Sequence, residues 1–141
     1  MTENKLYVYK MKLDRVVDGD TLYAFIDVGF KMTMKANVRL LGIDTPESRT
    51  RDLQEKAHGL ASKNALGDML INAKDIIIEC KEVDKYGRVL GMIYADGISV
   101  NYDLIDRGYA CPYSGGTKIS YKDKLQRYPA MAKVREQIGT K

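Results

Sequence analysis

At 141 residues the chain has the length of one domain, enough to bury a single core without disulfide or metal staples. Its 45% hydrophobic and 30% charged residues exclude a disordered or fibrous protein, and no apolar run approaches membrane-spanning length. The net charge of +4 is uneven: residues 118–141 carry seven Lys/Arg and two acids, while residues 1–117 are nearly neutral. A basic segment of this kind suits a polyanion, or simply solvates a helix face. Cys80, Cys111 and the single histidine, His58, are too few and too scattered for a zinc site. Cys80 reads as a small apolar residue in a strand, and His58 as a surface or boundary residue of a helix. Met1–Lys5 has no apolar core after its start, which predicts a cytoplasmic protein, or a secreted one whose leader is absent from this sequence.

In chain order, Leu6 to Val17, Thr21 to Val28 and Met32 to Ile43 read as a three-stranded meander. Asp18-Gly19-Asp20 and Gly29-Phe30-Lys31 form its reversals. Gly42, near the end of the third strand, marks a bulge or a close backbone approach. A polar loop over Ser48 to Gln54 leads into a helix from about Glu55 to Asn72, whose Ala57, Leu60, Ala61, Leu66, Met69, Leu70 and Ala73 recur near helical spacing. Asp75 to Val83 and Val89 to Tyr94 are two further strands, and Asp96-Gly97 is a strong reversal. Ser99 to Gly108 reads as a short helix stopped by glycine, with Leu104 and Ile105 inward, and Cys111 to Thr117 as a loop. A last helix over Tyr121 to Ile138 breaks before Pro129. The class is α+β, in one domain over 1–141 with about three helices and a basic helical segment from about 118. Five strands with one helix between the third and fourth is the element order of an OB-fold barrel, one option among several at this level.

Three segments carry candidate chemistry. They are Asp18-Gly19-Asp20-Thr21, Arg39-Leu40-Leu41-Gly42-Ile43-Asp44-Thr45-Pro46-Glu47 and Asp84-Lys85-Tyr86-Gly87-Arg88, each at a strand end. Asp20 and Asp44 offer hard oxygen, which suits Ca²⁺ or Mg²⁺ and, without histidine or thiolate, not zinc. Arg39 and Arg88 supply planar forks that grip two phosphate oxygens at any working pH. Glu47 is left as a carboxylate for a proton. Any one of these acids or arginines alone would be an ordinary strand-end charge; the combination is not.

The blocks VVDGDT, VRLLGIDTPE and DKYGRVLGMIYADG resemble the three signature blocks of the staphylococcal nuclease family, in order and at similar separations, over roughly residues 12–110. The resemblance implies a five-stranded OB-fold β-barrel. It also implies a Ca²⁺-dependent phosphodiesterase that cleaves DNA and RNA with little sequence preference, favours single strands, leaves 3′-phosphates and acts as a monomer away from membranes. By the same resemblance, Asp20, Asp44 and the Thr45 main-chain carbonyl are the metal ligands. Arg39 and Arg88 hold the scissile phosphate, and Glu47 is the general base or orients the attacking water. Lys85 and Tyr86 contact a neighbouring phosphate, although Tyr86 could instead pack on the barrel. Tyr113 is carried over as a stacking residue, within a Cys-Pro-Tyr-Ser-Gly-Gly stretch that departs from the family pattern. Asp18 either orients metal-bound water or only starts the tight turn with Gly19. No tryptophan occurs in the tail, where the family usually carries one. The segment after 117 holds none of the proposed chemical groups. The rival from another class is a non-catalytic nucleic-acid-binding module, which would not need Asp20, Asp44, Arg39, Glu47 and Arg88 together.

Overall fold

The computed structural model describes residues 6–139, so the leader expectation for Met1–Lys5 lies outside the described residues. The meander is formed by β1 (Val8–Asp18), β2 (Thr21–Gly29) and β3 (Met32–Leu40), paired antiparallel. Leu22, Ala24 and Ile26 alternate inward along β2, the period-two pattern of a half-buried strand. β5 (Ile76–Val83) and β6 (Val89–Ala95) form a hairpin whose first strand pairs with β1. Closure comes from a parallel pairing of β3 with β6, Val38 opposite Val89 and Leu40 opposite Gly91. The result is the five-stranded mixed barrel of an OB-fold α+β domain, with a short β7 (Ile98–Ser99) added beyond β6. Its core is filled by Leu22, Ile26, Val38, Leu40, Ile78 and Ile93, each almost fully buried.

The third strand is shorter than its sequence suggests. It ends at Leu40 because Gly42 takes φ +81°, a left-handed turn rather than a close approach, since a Cβ there would meet nothing. The chain resumes as β4 (Ile43–Asp44), which pairs with β8 (Cys111–Pro112), so the expected 111–117 loop begins with two strand residues.

Helix α1 (Leu53–Ile71) starts earlier than its periodicity indicates, because Asp52 caps it by accepting from the N–H groups of Gln54 and Glu55. Its inward stripe matches expectation at Leu66 and Leu70 but is rotated in the first half. His58, Gly59, Ser62, Ala65 and Leu66 face the barrel, whereas Leu60 is exposed. The polar members of that stripe are accommodated by hydrogen bonds. Ser62 Oγ lies 2.7 Å from the Tyr109 carbonyl, and His58 is fully buried with Nδ1 2.8 Å from Tyr121 Oη and Nε2 2.9 Å from the Gly108 carbonyl. His58 is therefore a core residue and not a surface one. A carbonyl only accepts, so Nε2 carries the proton and Nδ1 accepts from Tyr121.

Helix α2 (Val100–Asp106) is capped by Ser99, and Gly108 follows it at φ +85°. The C-terminal stretch divides as expected before proline, into α3 (Tyr121–Arg127) and α4 (Pro129–Gly139), with Tyr128 extended between them. Among the described residues that makes four helices rather than about three. Met131 of α4 is fully buried, so the segment is packed onto the domain and is not a solvated appendage. Both cysteines are free.

Candidate active site

The ends of β1, β2, β3 and β4 converge at one mouth of the barrel. The Asp18-Gly19-Asp20 turn brings Asp20 beside the end of β3, where the Leu40 N–H donates to the Asp20 carbonyl at 2.8 Å. Gly19 is needed for that turn to seat: a Cβ would lie 2.7 Å from Ser62 Cβ and 3.0 Å from Thr45 Cγ2. The Leu41-Gly42 turn redirects the chain so that Asp44 and Thr45 face the same space, and both are buried. A cavity of about 120 Å³ is lined by Asp18, Asp20, Thr21, Arg39, Asp44, Thr45, Pro46, Glu47, Arg88 and Lys118. Six of the nine residues assigned from the sequence thus stand around one space.

Arg39 is 7% exposed, and its Nη2 bridges the two acids at 3.4 Å from Asp20 Oδ2 and 3.8 Å from Asp44 Oδ1. Its Nη1 donates to the Leu40 carbonyl at 2.8 Å, which fixes the plane of the guanidinium. Asp20 is oriented by Thr21 Oγ1 at 3.0 Å and by the Thr45 N–H at 3.3 Å. Ser48 Oγ donates to Asp18, so Asp18 is tied to the loop beyond Glu47. Glu47 itself is exposed. Its backbone is fixed by a 3.0 Å bond from its N–H to Glu55 and by the bare face of α1 at Gly59, where a Cβ would come 2.5 Å from the Glu47 carbonyl oxygen.

Arg88 reaches the cavity from the loop between β5 and β6. Asp84 organises that loop, its Oδ1 accepting from the N–H groups of Tyr86 and Arg88 at 2.9 Å and its Oδ2 from Arg88 Nε at 2.8 Å. Partial desolvation works against the charged carboxyl, but these bonds and the guanidinium prevail and hold it below the usual carboxylate range. Among the described residues the Arg88 guanidinium hydrogen-bonds through Nε, to Asp84, which leaves its terminal nitrogens for another ligand. Tyr86 is 72% exposed and does not pack on the barrel; Lys85 and Arg88 lie over its ring at 5.2 and 5.5 Å. Neither Lys85 nor Tyr86 lines the cavity. Tyr113 lines an adjoining groove of about 450 Å³ that shares Arg39, Arg88 and Lys118 with the cavity. It is seated by its N–H on the Gly42 carbonyl at 2.8 Å.

The donor set fits a hard divalent cation. Asp20 and Asp44 are two buried carboxylates drawn together by one guanidinium nitrogen, and the Thr45 carbonyl shares a lysine partner with Asp44. The model of the family described as staphylococcal nuclease homologue matches residues 37–138, more than two thirds of the chain. The chain belongs to the staphylococcal nuclease family. It is 36% identical over 129 residues to the SPbeta prophage-derived endonuclease YokF of Bacillus subtilis (strain 168), covering 86% of this chain and 40% of that protein. It is 33% identical to endonuclease YncB of the same organism, over 77% of this chain and 50% of that one. To the micrococcal nuclease of Shigella flexneri it is 34% identical, over 62% of this chain and 43% of the relative. This member of the family therefore spans half or less of the length of these relatives.

Two site residues lie in the segment that the sequence reading left without chemical groups. Lys118 Nζ is 3.4 Å from Asp44 Oδ1, and Lys124, only 4% exposed, places Nζ 2.7 Å from Asp44 Oδ2 and 3.4 Å from the Thr45 carbonyl. A third residue, Asn101, is fully buried and ties α2 to the barrel's closing strands through the carbonyls of Leu41 and Gly91 and the N–H of Ile93. No spacing rule points to any of the three.

Proposed function

We propose that this chain is a Ca²⁺-dependent nuclease that hydrolyses phosphodiester bonds in DNA and RNA with little sequence preference, favouring single strands and leaving 3′-phosphate ends. The observation that carries the reading is the shared cavity of Asp20, Asp44, Arg39, Glu47 and Arg88. The endonuclease and nuclease names of its relatives support it. Asp20, Asp44 and the Thr45 carbonyl would hold the Ca²⁺, whose charge offsets that of the phosphate and of the acids. Arg39 is already planar and fixed, so it presents its donors without reorganisation as charge grows on the phosphoryl oxygens. Arg88, held by Asp84 through Nε, lines the same cavity and offers its terminal nitrogens. Glu47 accepts a proton from water as that water's oxygen bonds to phosphorus. The bond to the 5′-oxygen then breaks, and the leaving oxygen is protonated from solvent. The groove beside Tyr113 gives a flat ring on which an unpaired base can stack.

Cleavage of a single-stranded oligonucleotide with Ca²⁺, with Mg²⁺ and with chelator tests the reading. Activity with Ca²⁺ that chelator abolishes is expected. Binding of the oligonucleotide without cleavage under all three conditions would make the chain a binding module.

A further inference from the structure

Asp44 is the most heavily paired carboxylate of the site. Its Oδ1 has Lys118 at 3.4 Å and Arg39 at 3.8 Å, and its Oδ2 has Lys124 at 2.7 Å. Lys124 differs from Lys118 in kind. Its side chain is 5% exposed against 48%, it projects from α3, and its second partner is the Thr45 carbonyl at 3.4 Å. A lysine this deeply buried persists only where other groups compensate its charge. Here the compensating oxygens belong to two of the three protein groups proposed to hold the metal.

We infer that the Lys124 ammonium is an internal competitor of Ca²⁺, which holds Asp44 and Thr45 in the metal-free protein and must release them when the metal binds. This rests on the Ca²⁺ reading above. An ammonium is satisfied by a carboxylate and a carbonyl at hydrogen-bond distance, whereas Ca²⁺ requires about six to eight oxygens at about 2.3–2.6 Å. The same oxygens cannot serve both without two cations standing close together in a poorly solvated place. Asp20 is oriented instead by Thr21, the Thr45 N–H and Arg39. The resident cation thus covers one side of the site and leaves the other to the metal. It keeps the acids from repelling one another when no metal is present, and it lowers the affinity for the metal.

Calorimetric Ca²⁺ titration and melting curves of the wild type, Lys124→Met and Lys122→Met test this. Lys122 lies on the exposed side of the same helix and controls for the loss of one positive charge. Lys124→Met should bind Ca²⁺ at least about tenfold more tightly than the wild type. It should also melt lower without Ca²⁺ and gain the larger shift with it. Lys122→Met should stay within about twofold, because a solvated charge is screened. Unchanged or weaker binding in Lys124→Met, or equal tightening in Lys122→Met, overturns the inference and leaves the metal reading intact. The wild type gives a readout that does not depend on a variant folding: the side-chain ¹⁵N ammonium resonance of Lys124 should move as Ca²⁺ is added. A resonance that stays in place through saturation also overturns it. Absence of Ca²⁺ binding in all three proteins removes the metal reading itself and the inference with it.

Discussion

Arg88 and Asp84 behave as one unit, because the carboxylate that fixes the loop also spends its second oxygen on the guanidinium Nε. Arg88→Lys would keep a charge but lose that Nε bond and the two-pronged grip on phosphate proposed for it. Turnover of a single-stranded substrate should fall more than tenfold, a barrier increase above about 1.4 kcal/mol, in single-turnover cleavage. A variant that retained more than a tenth of the rate would mean that Arg88 acts only as a point charge. His58 makes a prediction of another kind. Burial, opposed by its bond to Gly108 and reinforced by the charge of Lys124, lowers its pKa from the ordinary 6.5. The unfolded chain therefore takes up this proton at higher pH than the folded one, so His58 costs nothing above about 6.5 and destabilises the fold progressively as pH falls below it. Melting temperatures from pH 7.5 to 5 should decline in the wild type and decline less in His58→Gln. Parallel curves would show that the imidazole does not titrate in this window. Its neighbour Tyr121, with a phenol pushed up to about 12 by burial, stays protonated throughout and remains the donor.

At the level of elements, α1 carries function through what it lacks. Gly59 lets the helix lie against the Pro46–Glu47 backbone, where an alanine methyl would meet atoms at 2.5 to 2.7 Å. Gly59→Ala should move the loop or the helix by a few tenths of an ångström or more, lowering stability by about 1–3 kcal/mol as an overpacked site does. Cleavage should be lost beyond what the stability change explains; a lower melting temperature with unchanged turnover would show that Glu47 tolerates displacement. The helices after 117 have a different part from the one their composition suggests. They bury Met131, bring Tyr121 to His58 and deliver Lys124 to Asp44, which Lys118 reaches from the loop before α3. A chain ending at 117 should therefore melt lower and bind Ca²⁺ differently. Mere loss of a screened, salt-sensitive attraction for polyanions would fit the solvated-face reading instead.

Over the whole molecule, what could be read in the sequence and what could not divide along the range of the interaction. Strand alternation in Leu22, Ala24 and Ile26, the reversal at Asp96-Gly97, where both residues take positive φ, and the break before Pro129 are local, and each is visible in a few adjacent residues. The acids and arginines of the site are legible because three contiguous blocks carry them. Lys124 is separated from its Thr45 partner by 79 residues and stands in a run of lysines that any solvated helix could show. His58 sits in a stretch whose apolar spacing favours Leu60 as the inward residue, whereas the close approach at Gly59 and the buried hydrogen bonds of His58 and Ser62 go with the other face. Gly42 showed that something happens near the end of β3, but not that the strand stops there.

Two seams close the barrel, the parallel one of β3 with β6 between residues roughly 50 positions apart and that of β1 with β5 between residues roughly 70 apart, while the meander and the β5–β6 hairpin are each made of near neighbours. Chain entropy opposes long-range closure most, so the seams belong to the late part of folding. Arg39 stands on one lip of the parallel seam, opposite Leu90, and Arg88 immediately precedes the other. The two arginines proposed to grip phosphate therefore meet only when the barrel shuts. A nascent or partly refolded chain, even with both β-units formed, has no assembled centre to act on the nucleic acids around it. In stopped-flow refolding, the capacity to bind a short oligonucleotide should appear with the final phase and not with the early gain of β-structure.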